Sequence, residues 1–181
     1  MISIINITKI TTYVPMSKNT MKGKSRVDFI NEMATKYDKD LDWFYKEFTR
    51  YMAIVIINRV KFAVQHQKIG KKSMKEAYKP LSEPYNSKKG KNKNKFWMNS
   101  GYLINNITVF RDGRGRWNIG YPKNIKHPAG DIEASNIMLY LEKGTKKGLP
   151  PRPLFTPILR MVAKNIDGYF WHWVKLMKFE Y

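Results

Sequence analysis

Three histidines, two pairs of acids and one Ser-Gly step are the side chains of this chain that could take part in bond-making chemistry. His66, His127 and His172 stand far apart and in unlike contexts. No His-Glu-x-x-His or comparable ligand spacing brings two of them onto one turn of helix. Asp38 with Asp40, and Asp131 with Glu133, are close enough to suggest two-metal hydrolysis. Both pairs fall where helices are expected to begin, and there the helix dipole favours a carboxylate without any metal. Ser100-Gly101 lacks the frame of a nucleophile elbow, and no P-loop pattern is present. The chain has no cysteine, so thiolate metal sites, thiol nucleophiles and disulfides are excluded. The expectation is therefore a protein with no catalytic residue, no metal site and no cofactor, and not an enzyme.

Charge is the feature that remains. The 181 residues hold 34 Lys plus Arg against 14 Asp plus Glu, a formal charge of +20. Such a chain is attracted to polyanions, whether nucleic acid, an acidic protein surface or an anionic membrane. The apolar fraction of 43% and aromatic fraction of 14% are those of a chain with a real core, and the length suits one domain. The first residues, Met1-Ile2-Ser3-Ile4-Ile5, do not read as a secretion signal, and no window is apolar over the roughly 18 residues of a membrane span. A soluble protein is expected.

Residues 1–15 are rich in Ile, Thr, Tyr and Val and read as a strand or extended arm, with the arm ending near residue 25. Ser25 with Asp28 suggests a capping box that opens a helix over about 26–36. A second helix begins at Asp38 or Asp40 and runs to about Gln67, roughly 40 Å at 1.5 Å per residue. Leu41, Phe44, Phe48, Met52, Val55, Ile56, Arg59 and Phe62 are expected on one face of it. Its middle, Ala53–Ile57, is apolar all round and asks for a second covering surface. Pro80 and Pro84 prevent another long helix. Residues 86–95, nearly all polar or cationic, read as a mobile basic surface loop.

Asn99 is expected to cap a short turn through Leu103. Asn106–Arg111 and Arg116–Tyr121 read as strands joined by Asp112-Gly113-Arg114-Gly115, with Val109, Trp117 and Ile119 facing the core. Ile132–Lys143 reads as a helix that carries Met138, Leu139 and Leu141 inward and stops at Gly144. The Pro-rich connector Leu149–Pro153 follows, and then one C-terminal helix from about Leu154. Pro157 is acceptable in its first turn, where backbone donors lack intrahelical partners anyway. Phe170 and Trp173 fit the core stripe of this helix. Trp171 falls outside it, as an interface anchor or as an indole half-covered by its own chain. The fold class expected is α+β: a small antiparallel sheet packed against a long helix of the N-terminal half and a C-terminal helix. Residues 26–181 would form the single domain.

Three segments, in order, resemble the tail-completion (head–tail joining, neck) proteins of long-tailed bacteriophages. Asn99–Ile107, with Gly101 and Leu103, is similar to the segment that leads into the family's first sheet strands. Tyr140-Leu141-Glu142-Lys143-Gly144-Thr145 is similar to its aromatic, x, Glu, x, Gly, Thr element. Pro151–Leu159, with Arg152, Pro153, Phe155 and Pro157, is similar to the Arg-Pro-Phe element that opens the last helix. The chain departs from the pattern where Leu154 separates Pro153 from Phe155, and it adds the N-terminal arm and the basic insertion. The likeness spans about residues 40–175.

The resemblance implies a structural virion protein of the neck, a tail terminator that forms a homo-oligomeric ring, by the family a hexamer. Its neighbours would be tail tube or sheath proteins and head connector proteins, with assembly in the host cytoplasm. On physical grounds alone, Gly144, Thr145 and Pro150–Pro153 would set a stiff angle between two helices, either as an assembly bracket or as an ordinary linker. Glu142 and Arg152 flank that unit and could meet as a bidentate pair. Lys88, Lys89, Lys91, Lys93 and Lys95 could contact DNA nonspecifically or dock on an acidic neighbour, of which docking is preferred. The alternative function is a basic, nonspecific DNA-binding accessory protein.

Overall fold

The computed structural model describes residues 5–6, 26–36, 41–98, 101–111, 116–122, 124–128, 130–146 and 148–178. It is an α+β fold with two small antiparallel sheets and several helices. The expectations placed on the rest of residues 1–25, on Asp38, Asp40, Asn99 and Ser100, and on the Asp112–Gly115 turn lie outside the described residues.

Helix α1 (Arg26–Lys36) leads to α2 (Leu41–His66), a run of 26 residues free of Gly and Pro. Asp42 in its first turn and His66 in its last both suit the dipole. The buried row of α2 is Phe44, Phe48, Met52, Ile56 and Val60, each four residues from the last. Of the other residues expected on that face, Val55 is half-buried against the core, while Arg59 and Phe62 turn toward solvent, Phe62 being 54% exposed. Within the apolar middle of α2, Ala53, Ile56 and Ile57 are buried and Val55 half-buried, and Ile54 is uncovered.

The helix ends where Gln67 takes a positive φ of 52°. A small hairpin follows, with β2 (Lys68–Ile69) antiparallel to β3 (Lys72–Ser73). Ser73 then caps α3 (Met74–Ala77), its hydroxyl accepting from Lys75 N while its own amide donates to Glu76, a reciprocal capping box. After α4 (Glu83–Ser87), a 3-10 turn (Gly90–Asn92) and α5 (Tyr102–Asn106) come the main strands, β4 (Thr108–Arg111) and β5 (Trp117–Gly120). They pair antiparallel with Val109 opposite Ile119, and β1 (Ile5–Asn6) lies on the other side of β5, giving the order β1-β5-β4. Ile119 is buried and Val109 and Trp117 are half-buried, while the Arg50 and Arg111 guanidinium groups lie 6.0 and 5.2 Å from the Trp117 ring.

Helix α6 (Ala134–Lys143) precedes the connector. In place of the one C-terminal helix expected, α7 (Phe155–Lys164) and α8 (Ile166–Leu176) are separated at Asn165. Asn165 leaves the helical region (φ −114°, ψ 21°), and its amide side chain donates back to Met161 O. A short polar side chain that bonds its own backbone competes with the helix ladder at that point. Both halves pack against α2. Phe48 meets Phe170 at 5.3 Å and Trp173 at 5.5 Å, and Phe44 meets Trp173 edge-on. Removing such a fully buried ring costs about 3–5 kcal/mol. No helix among the described residues is long and apolar enough to cross a membrane.

Candidate functional site

Helix α6 must turn sharply into α7, and the junction is held by a glycine, by backbone hydrogen bonds and by side chains that bond the backbone. Gly144 caps α6 with φ 76° and ψ −177°, a region in which only glycine is comfortable. A Cβ there would stand 2.6 Å from Leu149 O and 3.0 Å from Pro151 N. The absence of a side chain lets the returning chain lie directly on the helix end. Thr145 closes the loop twice, its amide donating to Leu149 O and its hydroxyl accepting from Leu149 N. Arg152 N then donates to Leu141 O. Further along, Trp97 Nε1 donates to Arg152 O at 2.9 Å and the Tyr78 hydroxyl to Pro153 O at 2.7 Å.

The same junction uses Glu142. Its carboxylate accepts from the amides of Leu154, Phe155 and Thr156 and from the Thr156 hydroxyl, at 2.7–3.1 Å. These are the orphan donors at the start of α7, so a side chain from one helix caps the next. Pro157 follows as the third residue of α7 and removes a further donor that would lack a partner. The pairing of Glu142 with Arg152 considered from the sequence does not form. Glu142 is committed to the helix start, and the Arg152 guanidinium lies 5.7 Å from the Phe96 ring.

Arg152 and Lys89 are the two cations buried here, each 5% exposed. Burial lowers the pKa of both. Lys89 falls to about 8, with the nearby Arg152 charge adding to the effect of burial. Tyr78 is pushed above its ordinary value by burial first and then by the Glu142 carboxylate. Both cations line a cavity with Tyr85, Trp97, Leu103 and Leu141 among its walls.

No protein-family model, curated protein or solved structure matches the chain. The meaning of the site therefore rests on its geometry. Of the residues singled out from the sequence, the structure brings Glu142, Gly144, Thr145, Arg152, Pro153, Phe155 and Pro157 into one junction. Leu103 lines the adjoining cavity, and Gly101 opens α5 with φ 86°. Tyr140 lies at the outer surface of α6. Trp171 is half-buried, edge-on to Phe29 at 5.3 Å, with its indole nitrogen buried and unpartnered.

Residues 86–95, expected as a mobile basic surface loop, are largely exposed but carry internal hydrogen bonds and three buried side chains. Asn86 grips Asn94 through two hydrogen bonds of 2.6 and 2.7 Å, and Asn86, Lys89 and Asn92 are all buried. Lys88, Lys91 and Lys93 remain outside, and Lys95 is half-buried. Sequence reasoning missed Tyr78 and Trp97, because their partners lie 75 and 55 residues away. It also passed over Ser73-Met74-Lys75-Glu76, whose Ser-x-x-Glu spacing did signal a helix start. The histidines stay scattered, and no group of three His, Cys, Asp or Glu able to hold a metal occurs among the described residues.

Proposed function

We propose that this chain is a structural virion protein of the bacteriophage neck, a tail-completion protein that acts in a closed ring of identical copies and joins the tail to the head connector. The observation that carries the reading is the junction at residues 140–156. A glycine, a carboxylate cap and a Pro-rich connector together hold α6 and α7 at one angle. A ring closes only if every subunit presents its two unlike surfaces at the same relative orientation, so a stiff angle has a direct use there. The segments that form the junction are also those that resemble the tail-completion family, from which a hexamer follows. In this reading residues 26–181 act as one domain, with the sheet and the C-terminal helices set against α2, and residues 1–25 are its N-terminal arm.

The exposed lysines 88, 91 and 93 then serve as docking points for an acidic surface of an adjoining virion protein. The uncovered Ile54 and Phe62 belong to a subunit interface. Neither role needs a cofactor or a reactive group. Native mass measurement and sedimentation at physiological salt test the proposal. A ring that persists without nucleic acid is expected, together with particles that separate into filled heads and finished-length tails when the protein is missing. A monomer that associates only on added DNA would overturn it in favour of the second reading, a nonspecific DNA-binding accessory protein, which the charge of +20 favours.

A further inference from the structure

Between the connector and the compact basic segment lies a cavity of about 570 Å³. Its walls are mainly apolar, with Leu81, Met98, Leu103, Ile137, Leu141 and Leu149 among them. Lys89 and Arg152 line it as well, and no carboxylate among the described residues does. Arg152 Nε is buried without a hydrogen-bond partner. The Lys89 ammonium donates to the carbonyl of Lys95 and lies 5.4 Å from the Tyr85 ring. Carbonyl and ring partners soften a buried charge without cancelling it. The one carboxylate of the junction, Glu142, is occupied by four donors at the start of α7. Two cations are thus held out of water, near enough to feel one another, with no carboxylate among the described residues paired to either.

Such an arrangement costs stability, and buried charges are ordinarily paired. The missing partner is an anion. Its size and polarity follow from the walls: a pocket of a few hundred Å³, mostly apolar with a few convergent polar groups, suits a small organic ligand better than a bare inorganic ion. A guanidinium takes a carboxylate through two parallel N–H donors, and the neighbouring ammonium adds a point charge. We propose that this cavity binds a monocarboxylate carried on an apolar body, with Arg152 and Lys89 holding the carboxylate and the aliphatic walls covering the rest. The site is independent of ring formation, so the failure of either leaves the other standing.

Decanoate is a suitable probe, titrated below its micelle-forming concentration into the full chain, with decanol and acetate as controls. Calorimetry gives the affinity. The indole N–H resonance of Trp97 reports from the cavity wall, because that group is fixed on Arg152 O. Decanoate is expected to saturate one site and shift the Trp97 resonance, with decanol and acetate each at least about ten-fold weaker. Lys89→Met and Arg152→Met should each weaken decanoate by about ten-fold or more, while decanol binding persists and shows the cavity still formed. Equal affinity for decanoate and decanol would overturn the proposal. So would decanoate binding that survives both substitutions, or no saturable binding at millimolar concentration.

Discussion

The acid and the two cations gathered around one connector are treated in opposite ways by the fold. The Glu142 carboxylate has four donors and locks α7 in place. The Arg152 and Lys89 cations have almost no polar partners and are buried more deeply. A saturated, half-buried charge strengthens the structure, because each hydrogen bond to an ionised acceptor contributes about 1.5–3 kcal/mol. A starved one weakens the structure and leaves capacity for something else. The neighbourhood thus divides into a part that holds shape and a part that is available for binding.

The harshest test of the shape-holding part is Gly144→Ala. It forces a Cβ against backbone atoms that cannot swing aside and imposes a φ that L-residues avoid, so a loss of about 4 kcal/mol is expected in urea unfolding. A loss under about 1 kcal/mol would mean that the connector is slack. Glu142→Gln comes next. It keeps the volume but removes the charge and turns an –NH2 toward amide donors, for a loss of about 2–3 kcal/mol. The substitution also separates capping from ion pairing, since Arg152 should keep its position in spectra of the variant.

The starved part should respond with the opposite sign. Lys89→Met removes a poorly compensated buried cation and should raise stability by about 1 kcal/mol at pH 7. The pH profile carries the same information. The folded Lys89 titrates near 8 and the unfolded side chain near its ordinary 10.5. Between these values the unfolded chain binds more protons, so stability rises with pH. Tyr78 and Tyr121, both raised by burial, keep their protons in the folded state above pH 10 while the unfolded chain loses them. Their contribution is whole below pH 10 and is lost above it. Wild-type stability should therefore climb from pH 8 to about 10 and then fall. Lys89→Met should lose most of the climb and keep the fall. The smallest effect belongs to Phe62→Ser on the open side of α2, within about 0.5 kcal/mol of wild type in stability. That variant should weaken the ring if Phe62 lies at a subunit contact.

Local patterns made much of the fold legible in advance. Helix α1 falls where Ser25 and the polar run placed it, and α2 follows from its apolar spacing and lack of breakers. The β4–β5 pair follows from two β-favouring runs around an Asp-Gly step. The break at Asn165 was hidden because Ile158, Val162, Ile166 and Phe170 keep a four-residue spacing straight through it. The drift of Arg59 and Phe62 out of the core has a related cause, since three-and-four spacing admits two adjacent rows and only packing chooses between them. At the candidate site, the Pro-rich connector and Gly144 were readable as a stiff turn. The destination of the Glu142 carboxylate was not, because twelve to fourteen residues separate it from its donors. Lys89 lay deepest out of reach. Nothing in a run of lysines and asparagines marks which of them will be buried over the Tyr85 ring.

The geometry at Gly144 also constrains how such a chain can evolve. Most positions can drift through chemically similar residues, each step a small loss that a later change repairs. Here the barrier is room for a single carbon atom, so even the smallest replacements, Ala and Ser, meet it. A lineage that lost this glycine would need to re-route the whole connector in the same step, so the codon can change only silently unless the shape of the junction changes with it.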